Sequence, residues 1–273
     1  MSEMRIWWDV PYADADAAQR LHLCVPAQDR NAPLVVFIHG GGWSGGSINQ
    51  YLPHIVMSAS VGFAAATVEY RLAPKTPFPE QIYDVARACA WLRANAARHG
   101  FDGSGMATLG SSAGGHLALV VAARAEDFPR LGVCGQLPTA IATVAQCPAT
   151  NMDAARAKSA NSIRQVARHG CPLEECSPQH IEPSKFPALL VQHGDADTSI
   201  PLDESREFIS RLKAAGHDAE LRVLAGVAHA FGYRHAFPVG ADNLQAALEF
   251  FGKRFGRALP TGSVARVSAK PDV

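Results

Sequence analysis

Met106-Ala107-Thr108-Leu109-Gly110-Ser111-Ser112-Ala113-Gly114-Gly115-His116-Leu117-Ala118, residues 106–118, is the stretch that decides the fold. Met106–Leu109 reads as a short buried strand, and Ala113–Ala123 is an apolar run without proline that reads as a helix. Between them stands G-x-S-x-G at 110–114, a strand-to-helix turn in the context this motif requires. Such a turn strains its central serine and lifts the hydroxyl above the sheet edge, while small neighbours let strand and helix approach. The helix N-terminus beneath it favours developing negative charge. Ser112 is therefore the candidate nucleophile. Taken alone, the motif also fits a glycine- and serine-rich loop with no chemistry.

Outward from this turn, strand-like and helix-like segments alternate, the pattern of a parallel sheet covered by crossover helices. Leu21–Val25, Leu34–Ile38, Ala64–Val68, Ile141–Cys147, Ala188–Gln192 and Glu220–Leu224 read as strands. Leu34–Ile38 is continuously apolar, as suits a strand buried on both faces. Helices are expected from Pro79 to about Ala97, over Leu202–Ala215 before Gly216, and over Asp242–Phe255. The expected class is α/β, a mostly parallel central sheet with helices on both faces. One domain is expected over residues 1–258, with a lid-like insertion near 148–187 and a tail from 259 to 273. A connection of about forty residues inside a compact domain is usually a functional loop.

Upstream, strand Leu34–Ile38 runs into His39-Gly40-Gly41-Gly42-Trp43. Glycines leave backbone N–H groups unobstructed, so Gly41, Gly42 and the amide of Ala113 are candidate donors to an oxyanion, each worth roughly 3–4 kcal/mol of barrier in studied cases. A phosphate cradle is disfavoured: neither G-x-x-x-x-G-K-[ST] nor a G-x-G-x-x-G with its acidic partner is present. Serine needs a base, and in this fold the order is serine, acid, histidine. Strand Ala188–Gln192 ends in His193-Gly194-Asp195-Ala196-Asp197-Thr198-Ser199-Ile200-Pro201, offering two carboxylates. The last strand leads to Gly226-Val227-Ala228-His229-Ala230-Phe231. His229 is placed to take the Ser112 proton; His39 and His193 belong to turns, His217 precedes the last strand and His235 lies further along a loop. Trp43 and Phe231 are expected to edge a shallow substrate pocket.

Composition narrows the classes. Lys plus Arg and Asp plus Glu number 25 each, so the formal net charge is zero, and no basic surplus exists to neutralise phosphates or anionic lipid. Neither nucleic acid nor a membrane is an expected partner. Apolar residues at 48% and charged residues at 18% supply a sizeable core. The runs Val61–Val68 and Leu117–Ala123 fall short of the ~20 residues of a spanning helix. Met1–Tyr12 lacks the layout of a signal peptide, and the six cysteines form no C-x-x-C pair, so buried reduced thiols and a cytoplasmic location are expected. Cys171 and Cys176 flank a Pro-Leu-Glu-Glu loop, and their pairing is left open. So is a homodimer.

These elements in this order resemble the α/β-hydrolase superfamily, and within it carboxylesterases of the hormone-sensitive-lipase-like and feruloyl-esterase-like type. The matching text is HGGGW at 39–43, YRLAP at 70–74, FPEQIYD at 78–84, GSSAGGHLA at 110–118, HGDADTSIP at 193–201 and HAF at 229–231. The resemblance implies a Ser-His-Asp esterase using Ser112, His229 and an aspartate, with no metal and no organic cofactor. In it the aspartate two residues before the x-[VI]-P turn is the acid, which points to Asp197. The implied function is hydrolysis of short-chain or small aryl and acetyl esters through an acyl-enzyme. A kynurenine-formamidase-like amide hydrolase shares the same text, and a non-catalytic binding protein on the same fold is the reading from a different class.

Overall fold

The computed structural model describes residues 3–153, 172–233 and 238–259. Eight strands form one sheet in the order β1-β2-β4-β3-β5-β6-β7-β8. They are β1 (Met4–Pro11), β2 (Arg20–Pro26), β3 (Pro33–Ile38), β4 (Ala64–Val68), β5 (Asp102–Ser111), β6 (Thr139–Gln146), β7 (Ala188–Gly194) and β8 (Ala219–Leu224). β1 and β2 pair antiparallel, as do β2 and β4, and every pairing from β4 through β8 is parallel.

Parallel strands need helical crossovers, and the apolar pattern divides the sheet between two helix layers. Leu34, Val36 and Ile38 of β3 face a core shared with α2 (Glu80–His99), α3 (Ala113–Ala123) and α5 (Leu202–Ala214). Val35 and Phe37 face the opposite core with α1 (Leu52–Ser60) and α6 (Pro238–Arg254). This is the period of two that a strand imposes on its side chains. α3 is buried along its whole length, and its mean apolar character matches that position. α2 stops at Gly100, whose φ of 75° lets its N–H reach the Ala96 carbonyl at 2.7 Å. A single helical turn, α4 (Leu173–Cys176), precedes the return to β7. No described helix is long and apolar enough to cross a membrane.

Two elements were not expected. β1 is an edge strand whose residues are half-buried or exposed, with Trp8 52% accessible and a register break between Trp7 and Val10 where Asp9 takes φ 50°. Its mixed burial hides the alternation that marks a strand. α1 begins at Leu52-Pro53, inside a polar loop, and runs into the apolar stretch that also supplies β4. α6 starts at Pro238 rather than Asp242. Of the expected insertion, 154–171 lies outside the described residues, and with it any Cys171–Cys176 pairing; most of the tail, 260–273, does too.

Candidate active site

Parallel strands gather the loops that follow them at one edge of the sheet, and the site lies there. Ser112, between β5 and α3, has φ 57° and ψ −122°, a conformation that costs an L-residue roughly 1–3 kcal/mol and persists only when its surroundings impose it. They do. The Ser112 N–H donates to the Gln146 carbonyl at 2.8 Å, and the Ser112 carbonyl accepts from the His116 N–H at 3.0 Å. A Cβ at Gly110 would collide with the Gly114 backbone, and one at Gly114 with the carbonyls of Ile38 and His39, so both motif glycines allow the close approach of strand and helix.

Opposite Ser112, the loop after β3 turns through Gly41 (φ 125°), Gly42 (φ 61°) and Trp43 (φ 59°). The Gly41 carbonyl accepts from the N–H groups of Ser44 at 3.2 Å and Gly45 at 2.9 Å, closing the turn. The N–H groups of Gly41, Gly42 and Ala113 donate to no protein acceptor among the described residues, and all three residues line the cavity. Buried polar contacts fix this loop from behind. His39 Nε2 lies 2.9 Å from Glu69 Oε1, the Tyr70 hydroxyl donates to the His39 carbonyl at 2.9 Å, and the two rings stack at 4.1 Å. Burial raises the Glu69 pKa, but hydrogen bonds from His39 and the Ile48 N–H outweigh it and bring the net value down. Tyr233 closes the assembly: its hydroxyl accepts from the Gly40 N–H and donates to the Ser111 carbonyl at 3.2 Å.

His229, in the loop after β8, places Nε2 2.9 Å from Ser112 Oγ and Nδ1 2.6 Å from Asp197 Oδ2. Asp197 is fixed in turn: its Oδ1 accepts from the N–H groups of Ser199 at 2.8 Å and Ile200 at 2.9 Å. His193 Nε2 lies 3.3 Å from Oδ2 while donating to the Ile200 carbonyl at 2.9 Å, and Ser205 bonds its other nitrogen at 2.7 Å. Burial opposes ionisation of Asp197, yet donors from His193, His229 and Ile200 hold its pKa well below the usual carboxylate range. For His229, burial again disfavours charge, and the bonds to Asp197 and Cys147 push its pKa upward. A carboxylate on Nδ1–H leaves Nε2 as the acceptor, so the arrangement can take a proton from Ser112 and stabilise the resulting imidazolium. Asp195 has a different task. Its Oδ1 accepts from the Gly226 N–H at 2.6 Å and ties the acid loop to the turn that leads to His229.

The cavity over Ser112 holds about 580 Å³ and is walled by Trp43, Gln50, Ala149, Ile200 and Tyr233 among others. Trp43 lines it while being 2% exposed overall. Phe231, expected at the rim, is instead 4% exposed and forms no part of the wall. It opens the 3₁₀ turn Phe231–Tyr233, and Tyr233 two residues on reaches the cavity in its place. Behind Trp43, its indole N–H donates to His116 Nδ1 at 3.2 Å and His116 Nε2 donates to the Cys176 carbonyl at 2.6 Å. Full burial lowers the His116 pKa to about 4.

Tyr233, His193, His116 and Cys147 were not singled out as site residues. Cys147 had one legible signal, its place at the end of a strand beside the serine strand. Among the described residues, the cluster with metal-ligating donors is Cys147, Asp197 and His229.

The sheet order, with the strained turn at Ser112 on the sheet edge, is that of the α/β-hydrolase fold. The chain belongs to the BD-FAE family, whose model matches residues 21–212. It is 30% identical to Esterase LipC of Mycobacterium tuberculosis over 73% of this chain and 53% of that protein. It is 32% identical to Carboxylesterase NlhH of the same species over 72% of this chain and 65% of that one. The chain thus spans between about half and two thirds of the length of these curated relatives. A thermophilic esterase from Thermogutta terrifontis, Est2, superposes with a TM-score of 0.77 at 26% identity, covering 96% of this chain and 95% of that one.

Proposed function

We propose that this protein is a serine carboxylic ester hydrolase acting on short-chain or small aryl and acetyl esters through an acyl-enzyme. One observation carries the reading: Ser112, His229 and Asp197 form a continuous hydrogen-bonded chain that opens on a cavity beside three unengaged N–H groups. In this reading His229 takes the Ser112 proton as Oγ attacks the ester carbonyl. The oxyanion is held by the N–H groups of Gly41, Gly42 and Ala113, and the imidazolium returns its proton to the leaving alkoxide. Water, activated by the same His229, then releases the acid from Ser112. Curated relatives named esterases support the reaction class. The propionate-bound form of Est2, 27% identical, supports a short acyl group.

The test is a comparison of initial rates on p-nitrophenyl acetate and N-formylkynurenine, with organophosphate labelling of Ser112 followed by mass spectrometry. Ester turnover with stoichiometric labelling at Ser112 is expected. Preference for the formamide would move the substrate to an amide, and absence of both turnover and labelling would leave a binding protein.

A further inference from the structure

Behind the acid–base pair lies a thiol with no part in the reaction just described. Cys147 follows β6, fully buried, with its N–H on the Gln192 carbonyl at 2.8 Å and its Sγ 3.6 Å from Ser111 Oγ. Its sulfur, a carboxylate oxygen of Asp197 and a ring nitrogen of His229 all lie within 4.8 Å of one another. We infer that Cys147, Asp197 and His229 form an inhibitory site for a thiophilic divalent cation of the zinc class.

The donor chemistry fits. One sulfur, one imidazole nitrogen and one carboxylate oxygen are the ligand types of zinc, and a tetrahedral ion with bonds of about 2.0–2.3 Å sets its ligands roughly 3.3–3.8 Å apart. Opening the His229–Asp197 contact of 2.6 Å by about 1 Å brings that pair to this spacing, and the sulfur lies within 4.8 Å of both other donors. Thiolate and carboxylate together cancel the charge of the ion, so the buried complex is neutral. The outer partners are already in place, since Asp197 Oδ1 is held by two backbone N–H groups. The ion enters past His229, which is part of the cavity wall and whose side chain is 21% exposed.

Binding breaks the Cys147 S–H bond: the sulfur lone pair goes to the ion and the proton to solvent. Nδ1 of His229 gives its lone pair to the ion, and the proton it held moves to Nε2. Nε2 then donates to Ser112 Oγ and no longer accepts from it, which removes the base. No electron changes hands, and a chelator reverses the step. That this silences turnover rests on the ester-hydrolase reading; uptake of the ion does not.

The experiment titrates zinc chloride into the full chain by calorimetry, with cobalt(II) absorption as the second readout. The proteins are the wild type, Ser112→Ala, Cys147→Ser and Cys147→Ala, each checked for cooperative unfolding. Wild type and Ser112→Ala should bind one ion per chain, and cobalt should show a thiolate charge-transfer band. Cys147→Ala should lose that band and bind at least about 100-fold more weakly, since outer partners alone are worth about 10–100-fold. Cys147→Ser, which keeps the size of the side chain, should fall with it. Wild type that takes up no zinc, or Cys147 variants that bind as tightly as wild type, overturns the inference. Zinc uptake by a wild type that hydrolyses no ester would overturn only the proposed reaction.

Discussion

Ser112 is held in its strained turn by its own backbone hydrogen bonds, so its hydroxyl can be removed without opening a void in the core. Ser112→Ala should therefore unfold as the wild type does while losing about 10⁴-fold or more in kcat, as measured on p-nitrophenyl acetate. The two aspartates of the acid loop separate in the same assay. Asp197→Asn removes the carboxylate that fixes the His229 tautomer and should cost about 10⁴-fold in kcat. Asp195→Asn weakens only the tie to the Gly226 N–H and should keep turnover within about 3-fold while lowering the melting midpoint, an exposed cap-like bond being worth about 1 kcal/mol. The reverse pattern in folded variants would hand the acid role to Asp195. Ser112 and His229 were legible in the sequence because a local motif and a position after the last strand announce each one. Asp195 and Asp197 were not separable by the residues alone, since both follow the same strand two positions apart; what distinguishes them is which carboxylate receives the Ser199 and Ile200 amides. Tyr233 could not be read at all, because its hydroxyl acts on Gly40, 193 positions away in the chain.

At the scale of elements, Ser112 caps the start of α3 and His116 lies one turn into it, and His116 joins that helix to the glycine loop through Trp43 and to the segment before β7 through the Cys176 carbonyl. Its pKa falls from 6.5 to about 4 on burial, so the unfolded chain takes up a proton as the pH drops through 6.5 while the folded chain does not. The stabilisation is thus complete above pH 6.5 and is lost progressively toward pH 4, about 3 kcal/mol across the window. Urea unfolding at a series of pH values should show a slope in this window that is flatter by that amount in His116→Gln; parallel slopes would mean that His116 is protonated in the folded state. Tyr233→Phe tests another joint between elements. It leaves the Gly40 N–H and the Ser111 carbonyl without this partner, and loosened oxyanion donors should lower kcat by about 10-fold with KM nearly unchanged, a fraction of the 10²–10³-fold that losing a donor outright costs. The buried strands and α2, α3 and α5 were legible because burial on two faces, or along one stripe, writes its period into the sequence. β1 and α1 escaped for the opposite reason: an edge strand with a break at Asp9 has no clean alternation, and α1 is masked by the apolar run it shares with β4.

Across the whole molecule, the parallel sheet places the loops after β3, β5, β7 and β8 at one edge, and the described walls of the cavity come from those loops with Gln50 and Ala149. Its apolar surface is contributed by short or fixed groups: Trp43 is locked by His116, Ala149 and Ala230 are small, and Ile200 is held through its N–H on Asp197. On the ester-hydrolase reading, a volume of about 580 Å³ would have to hold the alcohol as well as the acyl part of the substrate. Each methylene that enters an apolar wall gains about 0.8 kcal/mol, close to 4-fold in kcat/KM, and one that extends into water gains nothing. Along the p-nitrophenyl series from acetate to palmitate, kcat/KM should therefore climb over the first few carbons, peak by about butyrate and then fall or level off, with no jump where the substrate begins to form an interface. A maximum at ten carbons or more would require an additional apolar surface over Ser112, and residues 154–171, in the connection between β6 and β7, are the first place to seek it. Deleting part of that segment would then shorten the preferred chain, whereas in a cavity bounded by the walls seen here the same deletion leaves the preference at short acyl groups.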